Sequence, residues 1–189
     1  MNDLTVILKQ KLKPSKNETT SVVEKLSTAA ILIPLVIQEG YWHLLFTRRT
    51  HFVSTHQNEV SFPGGSYEPT DINLEKTALR ETNEEIGISF EKINILGALT
   101  PLTTITGFTV YPFVAVLVWP TRMKINTCEV DSVFTIPLNW LMDENNLYEE
   151  DYYTDKYGIR RVTHYKDYQG EHLWGFTANV VRELINLIK

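Results

Sequence analysis

The stretch FPGGSYEPTDINLEKTALRETNEEIGI, residues 62–88, decides how this chain is read. It opens on a glycine pair, Gly64-Gly65, and closes on Gly87. Between them, residues 73–86 read as a helix. Leu74, Ala78, Leu79, Thr82 and Ile86 recur at spacings of three and four and make its less polar side. Asp71 reads as the N-cap and Gly87 as the residue just past the C-terminus.

Glu81 and Glu85 lie four apart on this helix, and Glu84 is three from Glu81, so the three acids share a face. Like charges at that spacing cost an isolated helix a few tenths of a kcal/mol per pair. A purely solvated face would place Lys or Arg between them. Arg80 pairs in spacing with Glu84, but no basic residue stands between Glu81 and Glu85. Three clustered carboxylates suit a hard divalent cation such as Mg²⁺, which takes oxygen ligands and keeps waters and substrate phosphates in its shell. The glycine pair lets backbone approach such a site closely. These parts point to metal-assisted attack on a diphosphate. The plainer alternative is a solvated acidic helix.

Working outward, 189 residues fit one medium domain, and 43% hydrophobic with 22% charged is the balance of a soluble globular chain. A net charge of −5 argues against an extended nucleic-acid partner, while leaving room for one small phosphorylated ligand. Cys128 is the only cysteine, so an internal disulfide or a cysteine zinc cluster is excluded, and a structural thiol is the expectation. Residues 1–20 carry no secretory pattern, and no apolar run approaches the ~20 residues of a membrane helix. The expected location is the cytoplasm, with no membrane partner.

Leu4, Ile7, Leu8 and Leu12 are spaced as one helical face near the N-terminus, and Pro14 ends it. Residues 29–38 and 41–49 read as two strands of a hairpin turning at Glu39-Gly40. Residues 59–63, 93–100 and 109–119 are strand-like, and 132–142 reads as a strand end entering a short helix. The acidic, tyrosine-bearing segment 145–155 reads as loop. Tyr148, Tyr152, Tyr153 and Tyr157 there suggest a lid or a partner contact rather than RNA stacking. Residues 160–168 and 171–176 read as a hairpin around Gln169-Gly170, and 177–188 as a closing amphipathic helix. His164 and His172 fit exposed strand positions, and Trp174 and Phe176 fit the core. The pattern is α+β, with a mixed sheet and few helices. The division expected is an N-terminal helix and linker over 1–27 and the main domain over 28–189.

Residues 80–88, RETNEEIGI, resemble the second half of the Nudix box, R-E-U-x-E-E-x-G-U, where U is apolar or Thr. Every fixed position agrees. The upstream half, G-x5-E-x7, is met by Gly65 and then Asp71 in place of Glu, with eight residues rather than seven before Arg80. Residues 45–65, LFTRRTHFVSTHQNEVSFPGG, resemble the signature of the coenzyme A diphosphatase branch of that family. Leu45, Thr47, Arg49 and Phe62-Pro63-Gly64-Gly65 match, while Ser54 stands where an Arg is expected and Asn58 where a Gly is. Segments 100–117, 129–138 and 172–181 are also similar to that branch.

The resemblance implies an α/β/α sandwich around a mixed sheet, and a hydrolase using Mg²⁺ or Mn²⁺. It implies Glu81 and Glu85 as metal ligands, Glu84 as ligand or base, and the backbone of Gly65 as a further ligand. Arg80 would orient the glutamates, and Glu129 would add a carboxylate from outside the box. Arg48, Arg49, His56, Gly64 and Phe62 are the residues implied for substrate binding. The implied substrate is coenzyme A or a derivative, cleaved to 3′,5′-ADP and phosphopantetheine. The alternatives are another nucleoside diphosphate compound, such as ADP-ribose or a dinucleotide, and a non-catalytic binding module. Whether the chain pairs as a homodimer is left open by the sequence.

Overall fold

The computed structural model describes residues 2–14, 27–51, 57–156 and 158–189. Strand β1 (Thr28–Gln38) and strand β2 (Tyr41–Arg49) form the expected hairpin. Glu39 and Gly40 between them have φ of 52° and 84°, the left-handed pair that matches the twist of the flanking strands. Short strands β3 (Val60–Ser61) and β4 (Gly64–Ser66) follow, pairing β2 and β1 respectively. Helix α2 (Leu74–Ile86) comes after helix α1 (Asn2–Lys11) in chain order. Strands β5 (Ile93–Ala98), β6 (Leu102–Thr103), β7 (Thr109–Leu117) and β8 (Val130–Pro137) complete the main sheet. Helix α3 (Leu138–Met142), strands β9 (Leu147–Thr154) and β10 (Gly158–Tyr165), and helix α4 (Gly175–Ile188) close the chain.

The sheet is mixed. β1 runs parallel to β7, with Thr28 opposite Thr109 through Leu35 opposite Val116, and its other pairings are antiparallel. Because β1 is covered on both sides, it is apolar throughout rather than alternating. Ile33 and Leu35 point into one core layer with Leu8 and Leu12 of α1 and Val180, Val181, Leu184 and Ile185 of α4. Ala30, Leu32 and Val36 point into the other, against Leu74, Ala78 and Ile86 of α2. Helices on both faces of a mixed sheet make the expected α/β/α sandwich.

Four expectations are corrected. Segment 145–155 is largely strand: β9 pairs antiparallel with β10, Tyr148 opposite His164 and Asp151 opposite Arg161. The strand partner of 158–165 is therefore β9, not 171–176. The turn at Gln169-Gly170 does form, with Tyr168 and Glu171 exchanging backbone hydrogen bonds of 3.0 Å. Tyr148 and Tyr152 stack on His164 at 5.2 and 5.6 Å, and Trp174 stacks on it at 5.8 Å. His164 is thus buried, not at an exposed strand position. Finally, Asn73 caps α2, its side chain accepting from the Lys76 N–H at 2.9 Å, and Asp71 is released for another task.

Candidate active site

Helix α2 ends as its sequence dictates. Gly87 takes φ of 69°, and its N–H closes on the Asn83 carbonyl at 2.9 Å. Beyond it, the Lys124 and Asn126 N–H groups reach back to the Ile86 and Glu85 carbonyls at 3.0 and 2.8 Å. The last turn of the acidic helix is therefore fixed to the segment that leads to Glu129.

At the other end of the acidic face, Arg80 is the hub. Its Nε and Nη2 donate to the two oxygens of Asp71, each at 3.0 Å. Its Nη1 donates to Glu81 and Glu84, each at 3.0 Å, and Nη2 also reaches the Ser66 carbonyl at 3.1 Å. Asp71 also accepts from the Thr77 hydroxyl at 2.8 Å and the Glu68 N–H at 3.0 Å. Burial opposes ionisation of Asp71, but the Arg80 fork and these two donors outweigh it and hold the carboxyl below its usual range. Arg80 in turn is held charged, chiefly by Asp71. Only Ile72 and Asn73 separate Asp71 from the start of α2 at Leu74, and Arg80, Glu81, Glu84 and Glu85 all lie in that one helix.

Glu81 and Glu85 are the strained acids. Burial pushes the Glu85 carboxyl up to about 8, and the charge of Glu81 adds to this against the weaker pull of Arg49. The Gly64 N–H donates to its Oε2 at 3.3 Å. Burial also raises Glu81, although Arg80 is ion-paired to it at 3.0 Å. Burial outweighs the pull of that pair, and the charges of Glu84 and Glu129 add to it. The charge of Glu129 bears on both Glu81 and Glu85, so the acid outside the helix belongs to the same electrostatic cluster.

The glycine pair divides its work. A Cβ on Gly64, whose φ is 155°, would overlap the Ala30 carbonyl and come 2.6 Å from the Ile31 Cα. A Cβ on Gly65 would instead meet the Glu81 carboxylate, 2.7 Å from Oε2. Gly64→Ala is expected to destabilise the fold by about 2–3 kcal/mol, since backbone blocks it. Gly65→Ala is expected to leave stability within about 1 kcal/mol and to lower kcat about 10²-fold by displacing a flexible carboxylate. Urea denaturation beside steady-state kinetics separates the two.

The remaining sequence candidates are placed as follows. The pleat of β2 sends Arg48 and Arg49 to opposite faces. Arg49 is on the α2 side, where its charge acts on Glu85, and its Nε is buried without a hydrogen-bond partner among the described residues. Arg48 is on the α4 side, ion-paired to Asp131 at 3.1 Å and to Glu171 at 3.2 Å. The Phe62 ring is 4% exposed and stacks on Phe46 at 4.8 Å, in the core. Asn58, at the signature's glycine position, takes φ of 59°, a conformation Asn tolerates better than most residues. His56 and Ser54 lie outside the described residues. Cys128 is an exposed thiol.

Residues 26–157 match the model of the NUDIX domain, and 33% identity over 184 residues joins the chain to the uncharacterized Nudix hydrolase NudL of Pectobacterium atrosepticum. The chain belongs to the Nudix family. That alignment covers 97% of this chain and 92% of the Pectobacterium protein. The NudL of Yersinia enterocolitica is 35% identical over 156 residues, 82% of this chain and 78% of its own. Among solved structures, the Nudix hydrolase of Alicyclobacillus acidocaldarius shares the fold with a TM-score of 0.56 at 16% identity, covering 85% of this chain and 91% of that one. A MutT/Nudix family protein from Enterococcus faecalis does so at 0.55 and 15%, covering 90% and 71%.

Nudix hydrolases generally use divalent metal ions. Among the described residues, no three His, Cys, Asp or Glu side chains are already closed around a cation position. Glu81 and Glu84 are turned to Arg80 instead. The donor set nevertheless fits a hard cation. It is all oxygen, it includes the buried Glu85 carboxyl, whose desolvation outweighs the pull of Arg49, and Gly65 leaves a cradle against Glu81 that a Cβ would fill. No helix among the described residues is long and apolar enough to cross a membrane. Asp71 and Asn126 are residues that sequence reasoning missed. Asp71 had a signal, its place at the acid of the box; Asn126 had none.

Proposed function

We propose that this Nudix hydrolase cleaves the diphosphate of coenzyme A or a derivative, giving 3′,5′-ADP and phosphopantetheine, with Mg²⁺ or Mn²⁺. Glu81, Glu84 and Glu85, the Gly65 carbonyl and Glu129 would hold the cation. When bound, it supplies Lewis-acid polarisation of the phosphoryl oxygens. A water oxygen forms a bond to phosphorus as the bridging P–O bond breaks. The bridging oxygen leaves on the departing phosphate, and the water proton passes to a carboxylate of the cluster. Arg80 keeps Glu81 and Glu84 oriented from the side, through the fork anchored on Asp71.

The observation that carries this reading is Arg49. It is a fixed position of the coenzyme A signature, and its guanidinium bears on Glu85 with a buried Nε that lacks a partner among the described residues. A guanidinium beside a cation site is what a diphosphate requires, one group for each charge. Asn58 supports it further, because the left-handed conformation the signature's glycine would supply is kept. The second reading is a nucleoside diphosphate compound without the 3′-phosphate, such as ADP-ribose or a dinucleotide. Ser54 favours it, since the signature's Arg is missing there. A non-catalytic module is disfavoured by the full set of box carboxylates.

Coenzyme A, ADP-ribose, NADH and nucleoside triphosphates, each offered with Mg²⁺ or Mn²⁺ and followed by product mass, test this. The expected result is turnover of coenzyme A at least about tenfold above the rest, a difference of about 1.4 kcal/mol in transition-state binding. Preference for ADP-ribose or a dinucleotide would establish the second reading, and silence throughout would leave the binding module.

A further inference from the structure

Asn126 spends every polar group it has on one task. Its N–H donates to the Glu85 carbonyl at 2.8 Å. Its own carbonyl accepts from the Glu129 and Val130 N–H groups at 3.0 and 2.9 Å, closing a turn. Its Oδ1 accepts from the Cys128 N–H at 3.2 Å, and its Nδ2 donates to Glu129 Oε1 at 3.1 Å. Only one orientation of the amide serves both a backbone donor and a carboxylate, so the network fixes it. The same turn is fastened on its far side to the end of β2. There the Thr50 N–H donates to the Glu129 carbonyl at 2.9 Å and the Thr50 hydroxyl to the Cys128 carbonyl at 3.1 Å.

The turn therefore joins the end of the acidic helix to the strand that carries Arg49. From this geometry we infer that Asn126 is a positioning residue: its side-chain amide holds the Glu129 carboxylate in the acid cluster, in register with Glu85. Glu129 is then not a surface acid on a loose loop. It is held at Oε1 by an uncharged donor, so its negative charge stays available to the cluster. A Lys or Arg in that position would hold the carboxylate as well but would cancel its charge. The inference rests on the proposal that Glu129 contributes to the cation site. It adds a residue which binds neither cation nor substrate and acts through another side chain, as supporting hydrogen bonds to ligating carboxylates do elsewhere.

The probe is Mn²⁺ alone, titrated into metal-free protein and followed by the electron paramagnetic resonance of the free ion. Asn126→Ser keeps a side-chain oxygen for the Cys128 N–H and removes the donor to Glu129. Asn126→Asp keeps Oδ1 and turns a second negative oxygen on Glu129. The expected result is an apparent Kd for Mn²⁺ raised about tenfold in Asn126→Ser and further in Asn126→Asp, with thermal stability in EDTA unchanged for Asn126→Ser. Glu129→Gln should weaken Mn²⁺ binding similarly, and the double variant Asn126→Ser/Glu129→Gln should be no weaker than Glu129→Gln alone. Wild-type Mn²⁺ affinity in Asn126→Ser alongside a weakened Glu129→Gln would overturn the positioning role and spare the cation site. Additive losses in the double variant would do the same. Wild-type affinity in Glu129→Gln would overturn the role of Glu129 itself, and with it this inference. Should Asn126→Ser fail to fold, Asn126→Asp decides by the same titration.

Discussion

Glu85→Gln is expected to abolish turnover while making the metal-free protein more stable. Glu85 is 3% exposed, and burial with Glu81 beside it lifts its carboxyl to about 8. In the unfolded chain a glutamate titrates near ~4.3. Below that value Glu85 is protonated in both states and costs nothing. As pH rises from there towards 8, the unfolded chain releases a proton that the folded chain keeps, so stability falls. Above about 8 the penalty is complete, on the order of 2–5 kcal/mol. Glutamine keeps the shape and an oxygen for the Gly64 N–H, and it never ionises. In EDTA at pH 8 the variant should therefore melt higher than the wild type, with the gap closing as pH falls towards 4.5. Turnover should drop by at least about 10³-fold, because a cation site that loses a ligand charge loses several kcal/mol of transition-state stabilisation. Thermal melts in EDTA across pH, set beside kcat/KM, check both halves. Near-normal turnover, or a destabilised variant at pH 8, would contradict them.

Arg80→Ala should cost both stability and activity. The Asp71 side chain is 5% exposed and receives four hydrogen bonds, two of them from Arg80. Without the guanidinium it becomes a buried carboxylate short of a counter-charge, a loss of about 3–5 kcal/mol. The Asp71 carboxyl is depressed in the folded state, so its contribution is present above the unfolded value near ~3.9 and lost as pH falls through the folded one. The variant lacks that contribution at neutral pH, and urea denaturation at pH 7 reads the difference directly. Glu81 and Glu84 lose their common donor at the same time, and kcat should fall by about 10²-fold. Arg80→Lys is expected to rescue little, since one ammonium cannot serve both oxygens of Asp71, two glutamates and the Ser66 carbonyl.

Much of the fold was legible because its pieces announce themselves locally. The apolar run of β1, the Glu39-Gly40 turn and the amphipathic faces of α2 and α4 each carry their period in sequence. Segment 147–154 did not, because β9 is exposed along nearly its whole length and shows no alternation. Its strand character comes from β10, through pairings such as Asp151 opposite Arg161, which only the folded chain reveals. The carboxylates of the site were legible for the converse reason: three acids on one helical face without a basic residue between Glu81 and Glu85 make a poor surface. Asp71 was misread as a cap, since an acid just ahead of a helix looks the same whether it serves the backbone or a side chain two turns on. The role of Asn126 has no motif, and it exists only because the helix end and β2 meet there.

Metal-free protein is mixed with coenzyme A, Mn²⁺ is added stepwise, and 3′,5′-ADP and phosphopantetheine are quantified together. No product is expected before the cation is added. A saturable rise should follow in which the two products appear in equal amounts, abolished again by EDTA and absent in Glu85→Gln. Product formed in EDTA, or a Glu85→Gln protein that follows the wild-type curve, would contradict the claim that the acidic face of α2 is the hydrolytic centre.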